Sequence, residues 1–319
     1  MHSFRSYGSS IPKDDLQAKS VPNVPVDTIS DICAGNNLVS VSSWDGSVRV
    51  YRKDGIDLNP MVLFDNLGAP VVSTCIINDS MVLAGLVDGN LHILDVNNTQ
   101  NKKSIKAHDG IVKKIFFYNN AFVITVSFDG FYKVWDNTFK EVHSQNTNSK
   151  IYCMDLKEGH MALGLANKKV FYVDLNTNNM QELHTKFEYA IRSISINISG
   201  YGVEICVGSV EGKVEVINAK TQTSVSMRLH RADEKLYAVN QCIMVNEKLF
   251  ITGGSDGNVF LNDKTTRFKI ATSKYDRPVT AMVLKGDQLI FALGDDWSKG
   301  FVPQSLKTEL MVADIRRFL

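Results

Sequence analysis

Residues 123–135 read VITVSFDGFYKVW, two strand-like apolar runs joined by Asp129 and Gly130. Alternation of apolar and polar residues has the period of two that turns one face of a β-strand toward a core. Asp-Gly between two such runs is typical of a tight hairpin, because glycine adopts a positive φ without steric cost. The stretch therefore predicts an antiparallel hairpin that turns at Asp129.

Similar hairpins recur along the chain at intervals of about forty residues. Their turns start at Asp45, Asp88, Asp129, Asn167, Glu211 and Asp256. A seventh position falls at Asp296, inside GDDWSKG (294–300), where the Asp-Gly pair is replaced by a longer loop. An apolar run precedes each hairpin, as AVNQCIM (238–244) does, and would supply a further strand. Seven four-stranded units of this length predict an all-β, seven-bladed β-propeller.

The last unit is one strand short, because only TELMVADI (308–315) follows GDDWSKG. We expect the segment LQAKSV (16–21) to supply the outer strand, so that an N-terminal strand closes the last blade. The corresponding domain prediction is a flexible N-terminal tail over residues 1–14 and a single propeller over residues 15–319.

Composition limits the classes of function. The chain has 319 residues, and 35 Lys and Arg nearly balance 34 Asp and Glu, so the net charge of +1 gives no overall attraction for nucleic acid or membrane. The polar opening MHSFRSYGSSIPKDD lacks the apolar core of a secretory signal, and no apolar run approaches the roughly 18 residues that span a bilayer. We expect a soluble intracellular monomer without membrane insertion.

The five cysteines include no Cys-x-x-Cys pair, and the seven histidines show no metal-binding spacing. Four cysteines fall 12 to 14 residues before a predicted turn, which places them on the innermost strands as buried apolar side chains. These are Cys33, Cys75, Cys153 and Cys242. The sequence thus predicts no metal, no cofactor and no disulfide framework.

One group in the third unit resembles a catalytic triad. It consists of His108, Ser127, Asp129 and Trp135. The same four positions match the hydrogen-bonded tetrad of WD-repeat blades, in which the imidazole bridges the turn carboxylate and the hydroxyl. No nucleophile elbow or glycine-rich oxyanion loop accompanies the group. We therefore interpret it as structural and the protein as not an enzyme.

Aromatic residues precede three of the predicted turns and would be displayed on one rim of the propeller. They are Trp44, Phe128 and Trp297. Two cations reach the same rim, since Arg192 begins the inner strand of the fifth unit and Lys213 follows its turn. Cations beside aromatic rings suit a short acidic, partly apolar peptide, or single-stranded nucleic acid whose bases stack on the rings.

Each of these assignments has a structural alternative. Lys213 could be a solvated surface charge, and Arg192 could be paired with Glu188 or Glu211. Trp297 could fill the seam between the first and last blades, which makes it a structural residue.

A second basic stretch, DKTTRFK (263–269), contains Lys264, Arg267 and Lys269. It is either a solvated hairpin or the best local candidate for contact with single-stranded RNA.

Several motifs resemble those of a known family in order over residues 15–302. They are SSWDGSVRVY, KAHDGIVKKI, MALGLANKKV, IRSISI, VGSVEGKVEV, LHR followed by LYAVN, GGSDGNVFLNDK and DWSKG. Together they are similar to the nuclear-pore mRNA export factors of the WD-repeat class and to their relative, the mitotic checkpoint WD-repeat protein. DWSKG favours the export factor.

The resemblance implies a WD-repeat propeller acting as a non-enzymatic adaptor at the nuclear pore. Its partner would be a nucleoporin whose short acidic motif meets two cations matching Arg192 and Lys213 and aromatics matching Trp44 and Phe128, where family members usually carry Trp in place of Phe128. It implies a location in the nucleus, at the pore in the nuclear envelope, with a further cytoplasmic fraction, and association with mRNA ribonucleoprotein. The alternatives are a spindle-checkpoint adaptor for checkpoint kinases and direct binding of single-stranded RNA.

Overall fold

The computed structural model describes residues 14–232, 235–296 and 307–319. Within these ranges the chain forms 30 β-strands and one short 3-10 helix, Arg316–Phe318. The first half of the strands are β1 (Lys19–Val21), β2 (Ile29–Ala34), β3 (Leu38–Ser43), β4 (Val48–Asp54), β5 (Asp57–Phe64), β6 (Val71–Asn78), β7 (Met81–Leu86), β8 (Asn90–Asp95), β9 (Lys102–Lys106), β10 (Val112–Tyr118), β11 (Phe122–Ser127), β12 (Phe131–Trp135), β13 (Glu141–Asn146), β14 (Ile151–Lys157) and β15 (His160–Leu165). The second half are β16 (Lys169–Asp174), β17 (Asn179–His184), β18 (Ile191–Ser199), β19 (Gly202–Ser209), β20 (Lys213–Asn218), β21 (Ser224–Arg228), β22 (Arg231–Ala232), β23 (Lys235–Leu236), β24 (Val239–Met244), β25 (Leu249–Gly254), β26 (Asn258–Asp263), β27 (Lys269–Lys274), β28 (Val279–Lys285), β29 (Gln288–Leu293) and β30 (Glu309–Asp314).

Twenty-eight of these strands build seven antiparallel four-stranded sheets, the blades. Blades one to six each use four consecutive strands, and the small hairpin β22–β23 stands between blades five and six. The inner strands β2, β6, β10, β14, β18, β24 and β28 contact one another in that order, and β28 contacts β2. The ring is therefore closed, and the predicted all-β, seven-bladed propeller is confirmed.

In blades one to six, the turns between the second and third strands are where the sequence places them, and most of the seventh lies outside the described residues. Gly130 has φ 90° in blade three, in the left-handed region that the Asp-Gly pattern anticipates. In the weaker copy of blade four, Lys168 takes this place with φ 69°. A residue with a Cβ is strained in this conformation, yet Lys168 adopts it. The fourth repeat therefore keeps the same hairpin turn despite its altered sequence.

Neighbouring blades pack closely because a glycine on one faces a β-branched residue on the next. A Cβ added at Gly85 would lie 2.7 Å from Cγ1 of Val112, and one at Gly253 would lie 2.6 Å from Cγ1 of Val279. Real atoms do not approach so closely, so these two positions require glycine.

Closure of the ring follows the predicted route. The last blade has the order β1-β30-β29-β28, with Lys19 opposite Val312 and Val21 opposite Leu310. The N-terminal strand predicted within residues 16–21 is confirmed. Residues 1–13 of the predicted tail lie outside the described residues, while Asp14 forms a bridge with Ser273 of blade six.

The cysteines occupy the predicted places. Cys33, Cys75, Cys153 and Cys242 lie on inner strands β2, β6, β14 and β24, where Cys75 and Cys242 are buried as predicted and Cys33 and Cys153 are only partly buried. All five cysteines are free thiols, with Cys206 on β19.

Candidate functional site

Every inner strand has a β-bulge at its second residue. In each blade the pairing of the inner strand with the next strand skips this residue, as between Val112 and Lys114 in blade three. The skipped residues are Ser30, Val72, Lys113, Tyr152, Arg192, Asn240 and Thr280. A bulge frees a residue from the ladder and re-aims its side chain. All seven line one cavity of about 500 Å³ at the mouth of the central channel, and we call them the bulge ring.

The bulge ring is chemically one-sided. Its two cations, Lys113 of blade three and Arg192 of blade five, lie on either side of Tyr152 of blade four. The other four positions carry no charge. Phe128, from the turn of blade three, packs edge-on against Tyr152 with ring centroids 5.3 Å apart. Trp44 lines the same cavity and is 37% exposed. The structure thus brings Trp44, Phe128 and Arg192 together around one opening.

Arg192 points across the channel mouth. Its Nε donates a hydrogen bond of 3.2 Å to Oδ1 of Asn240, and its Nη2 lies 3.5 Å from Oδ1 of Asp296. The alternative that paired Arg192 with Glu188 or Glu211 is wrong, because the bulge turns the side chain away from its own blade's turn toward blades six and seven. The Arg192 side chain remains 41% exposed and can receive a further ligand.

Lys213 lies away from the cavity lining. Its Nζ is 3.1 Å from Oε2 of Glu211 and 3.5 Å from Oε1 of Glu188, and its side chain is 14% exposed. The alternative of a solvated surface charge is therefore wrong as well. Lys213 is the neutralised base of the blade-five turn.

The second basic stretch presents little free positive charge. Lys264 forms an ion pair with Glu204. The Nζ of Lys269 lies 3.4 Å from the ring centroid of Phe260 and donates to the carbonyl of Leu229 at 3.3 Å. Arg267 is exposed in a left-handed turn with φ 62°. Two of the three cations predicted for RNA are thus engaged within the protein.

The predicted tetrad of blade three forms with one change of member. Nδ1 of His108 is 2.9 Å from Oδ2 of Asp129, and Nε2 is 2.8 Å from the hydroxyl of Thr125. The indole N–H of Trp135 donates to the same hydroxyl at 2.9 Å. The assignment of Ser127 as the bridged hydroxyl is wrong. Thr125 and Ser127 lie on one face of β11, and Ser127 is the one near the turn, where its oxygen accepts the Asp129 N–H at 3.0 Å.

These contacts define the protonation of the tetrad. Burial lowers the pKa of His108, which keeps the imidazole neutral, donating from Nδ1 and accepting at Nε2. Burial alone would raise the pKa of Asp129, but the Phe131 N–H and the His108 ring outweigh it, and that pKa is lowered. The Thr125 hydroxyl thus accepts from the indole and donates to the imidazole, and Thr125 is fully buried beneath the turn.

A second such network, which the sequence did not predict, lies in blade six. Nδ1 of His230 is 2.8 Å from Oδ1 of Asp256, and Nε2 is 2.9 Å from the hydroxyl of Thr252. Asn262 replaces the tryptophan and reaches the same hydroxyl at 3.4 Å. The Thr-x-x-x-Asp spacing shared with blade three was the available signal. The hairpin β22–β23 lengthens the interval after His230 and obscured it.

Trp297, the third aromatic of the predicted rim, lies outside the described residues. Its neighbours Asp295 and Asp296 are buried and line the cavity. In the described ranges no cluster of His, Cys, Asp and Glu side chains is arranged for a metal ion. The same ranges contain no helix with the length and apolar character needed to cross a bilayer.

Fold, hairpin turns and His-Asp-Thr networks together define a seven-bladed WD-repeat β-propeller. The family profile described as "WD domain, G-beta repeat" matches residues 99–136, from the end of blade two through the third strand of blade three. The solved structure titled "Crystal structure of RRP9 WD40 repeats" superposes with a TM-score of 0.81 at 12% identity, covering 95% of this chain and 99% of that chain. At this identity the likeness establishes the fold alone.

Two relatives indicate a narrower group of WD-repeat proteins than the fold alone. The chain is 27% identical to "mRNA export factor rae-1" of Caenorhabditis elegans, over 91% of this chain and 82% of that protein. It is 26% identical to "Mitotic checkpoint protein bub3" of Dictyostelium discoideum, over 86% of this chain and 87% of that protein. The resemblance to the export factors and to their checkpoint relative is thereby confirmed.

Proposed function

We propose that this protein is a non-enzymatic adaptor for mRNA export at the nuclear pore, and that it binds a short acidic nucleoporin motif at the channel mouth. The observation that carries the proposal is the grouping of Arg192, Tyr152, Phe128 and Trp44 around one open cavity. Similarity to a protein named as an mRNA export factor supports the assignment to mRNA export.

The chemistry of the opening favours a peptide with both acidic and apolar side chains. The planar guanidinium of Arg192 has an exposed edge that can form two parallel hydrogen bonds with a carboxylate. Trp44 and Phe128 line the same cavity and can pack against apolar neighbours of that carboxylate, and aromatic and arginine residues contribute most of the binding energy at interfaces.

A binding survey tests the proposal. Overlapping twenty-residue peptides covering the nuclear-pore proteins of the same organism are arrayed, and bound protein is detected on the array. We expect acidic segments to bind best, and Arg192→Glu to weaken the tightest of them at least tenfold in fluorescence polarisation. A survey in which no acidic segment binds, or in which Arg192→Glu binds as the wild type does, contradicts the proposal.

The checkpoint role is the second candidate, because the same surface would serve it and a protein named as a checkpoint protein is nearly as similar. Localisation separates the two. Staining of the nuclear rim in interphase, with a cytoplasmic fraction, favours export, and foci at kinetochores in mitosis favour the checkpoint adaptor with kinase partners.

Direct contact with single-stranded RNA has less support, since Lys264 and Lys269 are engaged internally. RNA binding that falls steeply with salt and is lost in Arg267→Ala would favour it. RNA retention that depends on a bound nucleoporin would instead indicate that the chain meets mRNA ribonucleoprotein through its partners.

A further inference from the structure

We propose that Lys113 is the second cation of the peptide site, and that Lys113 and Arg192 together hold a carboxylate that reaches into the channel mouth. This inference rests on the proposed function and assigns the contact to a residue for which the sequence predicted no role in binding.

Lys113 and Arg192 flank the same part of the channel mouth. Lys113 and Arg192 are equivalent bulge residues of blades three and five, on either side of Tyr152 in blade four. Both line the cavity, whereas Lys213 does not. A carboxylate placed over Tyr152 therefore has a cation on each side.

Charge is the second argument. The neighbouring Lys114 is neutralised, with its Nζ 2.6 Å from Oδ1 of Asp31. Across the described residues, Nζ of Lys113 has no hydrogen bond and no ion pair. Burial, with the charge of Arg192 added, lowers the pKa of Lys113 to about 8. Lys113 is thus a partly desolvated cation whose nearest acidic group, Asp31, is already paired with Lys114, and among the described residues no carboxylate forms a direct ion pair with Lys113.

Comparison with Lys213 is the third argument. Two glutamates already surround Lys213, one of them buried, so an incoming carboxylate there would meet like charges. At Lys113 the incoming carboxylate relieves an unfavourable charge, and the interaction is stronger because the site is partly excluded from water. We therefore expect a carboxylate to gain more free energy at Lys113, where Asp31 and Asp296 of the same cavity are already paired with Lys114 and Arg192, than at Lys213.

The test uses the tightest acidic peptide from the nuclear-pore array and measures its affinity by fluorescence polarisation. Lys113→Met removes the charge at similar length, and Lys113→Arg restores a charge. Lys103→Met is the matched control, because Lys103 is an exposed lysine on the outer strand of blade two. We expect a loss of ten- to hundredfold for Lys113→Met, a smaller loss for Lys113→Arg and no change for Lys103→Met.

A second readout follows the lysine itself. With lysine ε-carbons labelled with ¹³C, the resonance lost in Lys113→Met identifies Lys113, and its titration midpoint is measured with and without the peptide. A bound carboxylate favours the protonated amine, so the midpoint should rise by about one pH unit or more. If Lys113 does not contact the peptide, its titration midpoint should stay unchanged.

The outcomes separate this inference from the proposed function. If Arg192→Glu abolishes binding while Lys113→Met and the Lys113 midpoint are unaffected, the inference is wrong and the proposed function stands. If neither variant weakens the peptide, the channel mouth is not the site and both fail.

Discussion

Residues 14–24 should contribute a large part of the stability of the whole propeller. Leu16 is 5% exposed and packs in the core shared by blades six and seven, and Val21 is 6% exposed and packs in the core shared by blades seven and one. The Asp15 N–H donates to the Thr272 carbonyl at 3.1 Å, and the Leu16 N–H donates to Oγ of Ser273 at 2.9 Å. The segment thus joins three blades.

The expected effect of deleting residues 1–24 follows from these contacts. Each buried aliphatic side chain contributes about 1.5–3 kcal/mol, and each hydrogen bond about 0.5–1.5 kcal/mol net. Two side chains give about 3–6 kcal/mol and the two hydrogen bonds to blade six about 1–3 kcal/mol, so with the pairing of β1 and β30 the segment contributes about 5 kcal/mol or more. Domains as a class are stable by only about 5–15 kcal/mol. At roughly 2 °C per kcal/mol, the melting temperature should fall by about 10 °C or more.

Differential scanning calorimetry measures this effect. Deletion of residues 1–13, which the sequence analysis assigns to a tail outside the propeller, is the matched control and should change the melting temperature by less than about 2 °C. If the longer deletion does not fold, Leu16→Ala combined with Val21→Ala tests the same packing and should still lower the melting temperature by several degrees. An unchanged melting temperature in the longer deletion would refute the energetic role assigned to this closure.

Three further predictions concern single residues. His108→Gln should lower the unfolding free energy by about 2–3 kcal/mol in urea denaturation, because buried partners lose their hydrogen bonds. It should also flatten the pH dependence below pH 6.5, since burial lowers the folded pKa of His108, the unfolded chain takes up the proton first, and wild-type stability therefore falls as the pH falls. Lys213→Met should cost about 1–3 kcal/mol in the same measurement, because it leaves Glu211 buried without its ion pair. Lys113→Met should raise stability by roughly 1–3 kcal/mol at pH 7 and by nothing near pH 10.5, because a folded pKa of about 8 penalises the charged lysine only while the unfolded chain is protonated. A gain that is equal at both pH values would contradict the last of these.

The propeller was predictable because its signals are local. An Asp-Gly turn between apolar strands marks each hairpin without knowledge of distant contacts, and the strand missing after residue 315 pointed to the N-terminus. The tetrad was predictable down to its histidine, its aspartate and its tryptophan. Thr125 and Ser127 lie on the same face of the strand, so the alternation of the sequence does not distinguish them. The imidazole meets Thr125 because that residue lies further from the turn.

The channel mouth was only partly predictable, because a bulge is a property of the pairing between two strands. Lys113 and Lys114 are adjacent lysines in the sequence, yet one faces the channel and the other pairs with an aspartate 83 residues away. The partner of Arg192 was likewise assigned to its own blade, although the bulge turns that side chain across the channel.

Because the ladder skips each residue of the bulge ring, its side chain can be exchanged without breaking strand pairing. Each blade thus contributes one position at the channel mouth whose side chain can vary while the sheet that carries it stays the same. We therefore expect substitutions at a few of these positions, which lie between Ser30 and Thr280 in the sequence, to change which partner the channel mouth accepts. Comparing the ring residues of two propellers should therefore report on shared partners more directly than comparing their overall identity.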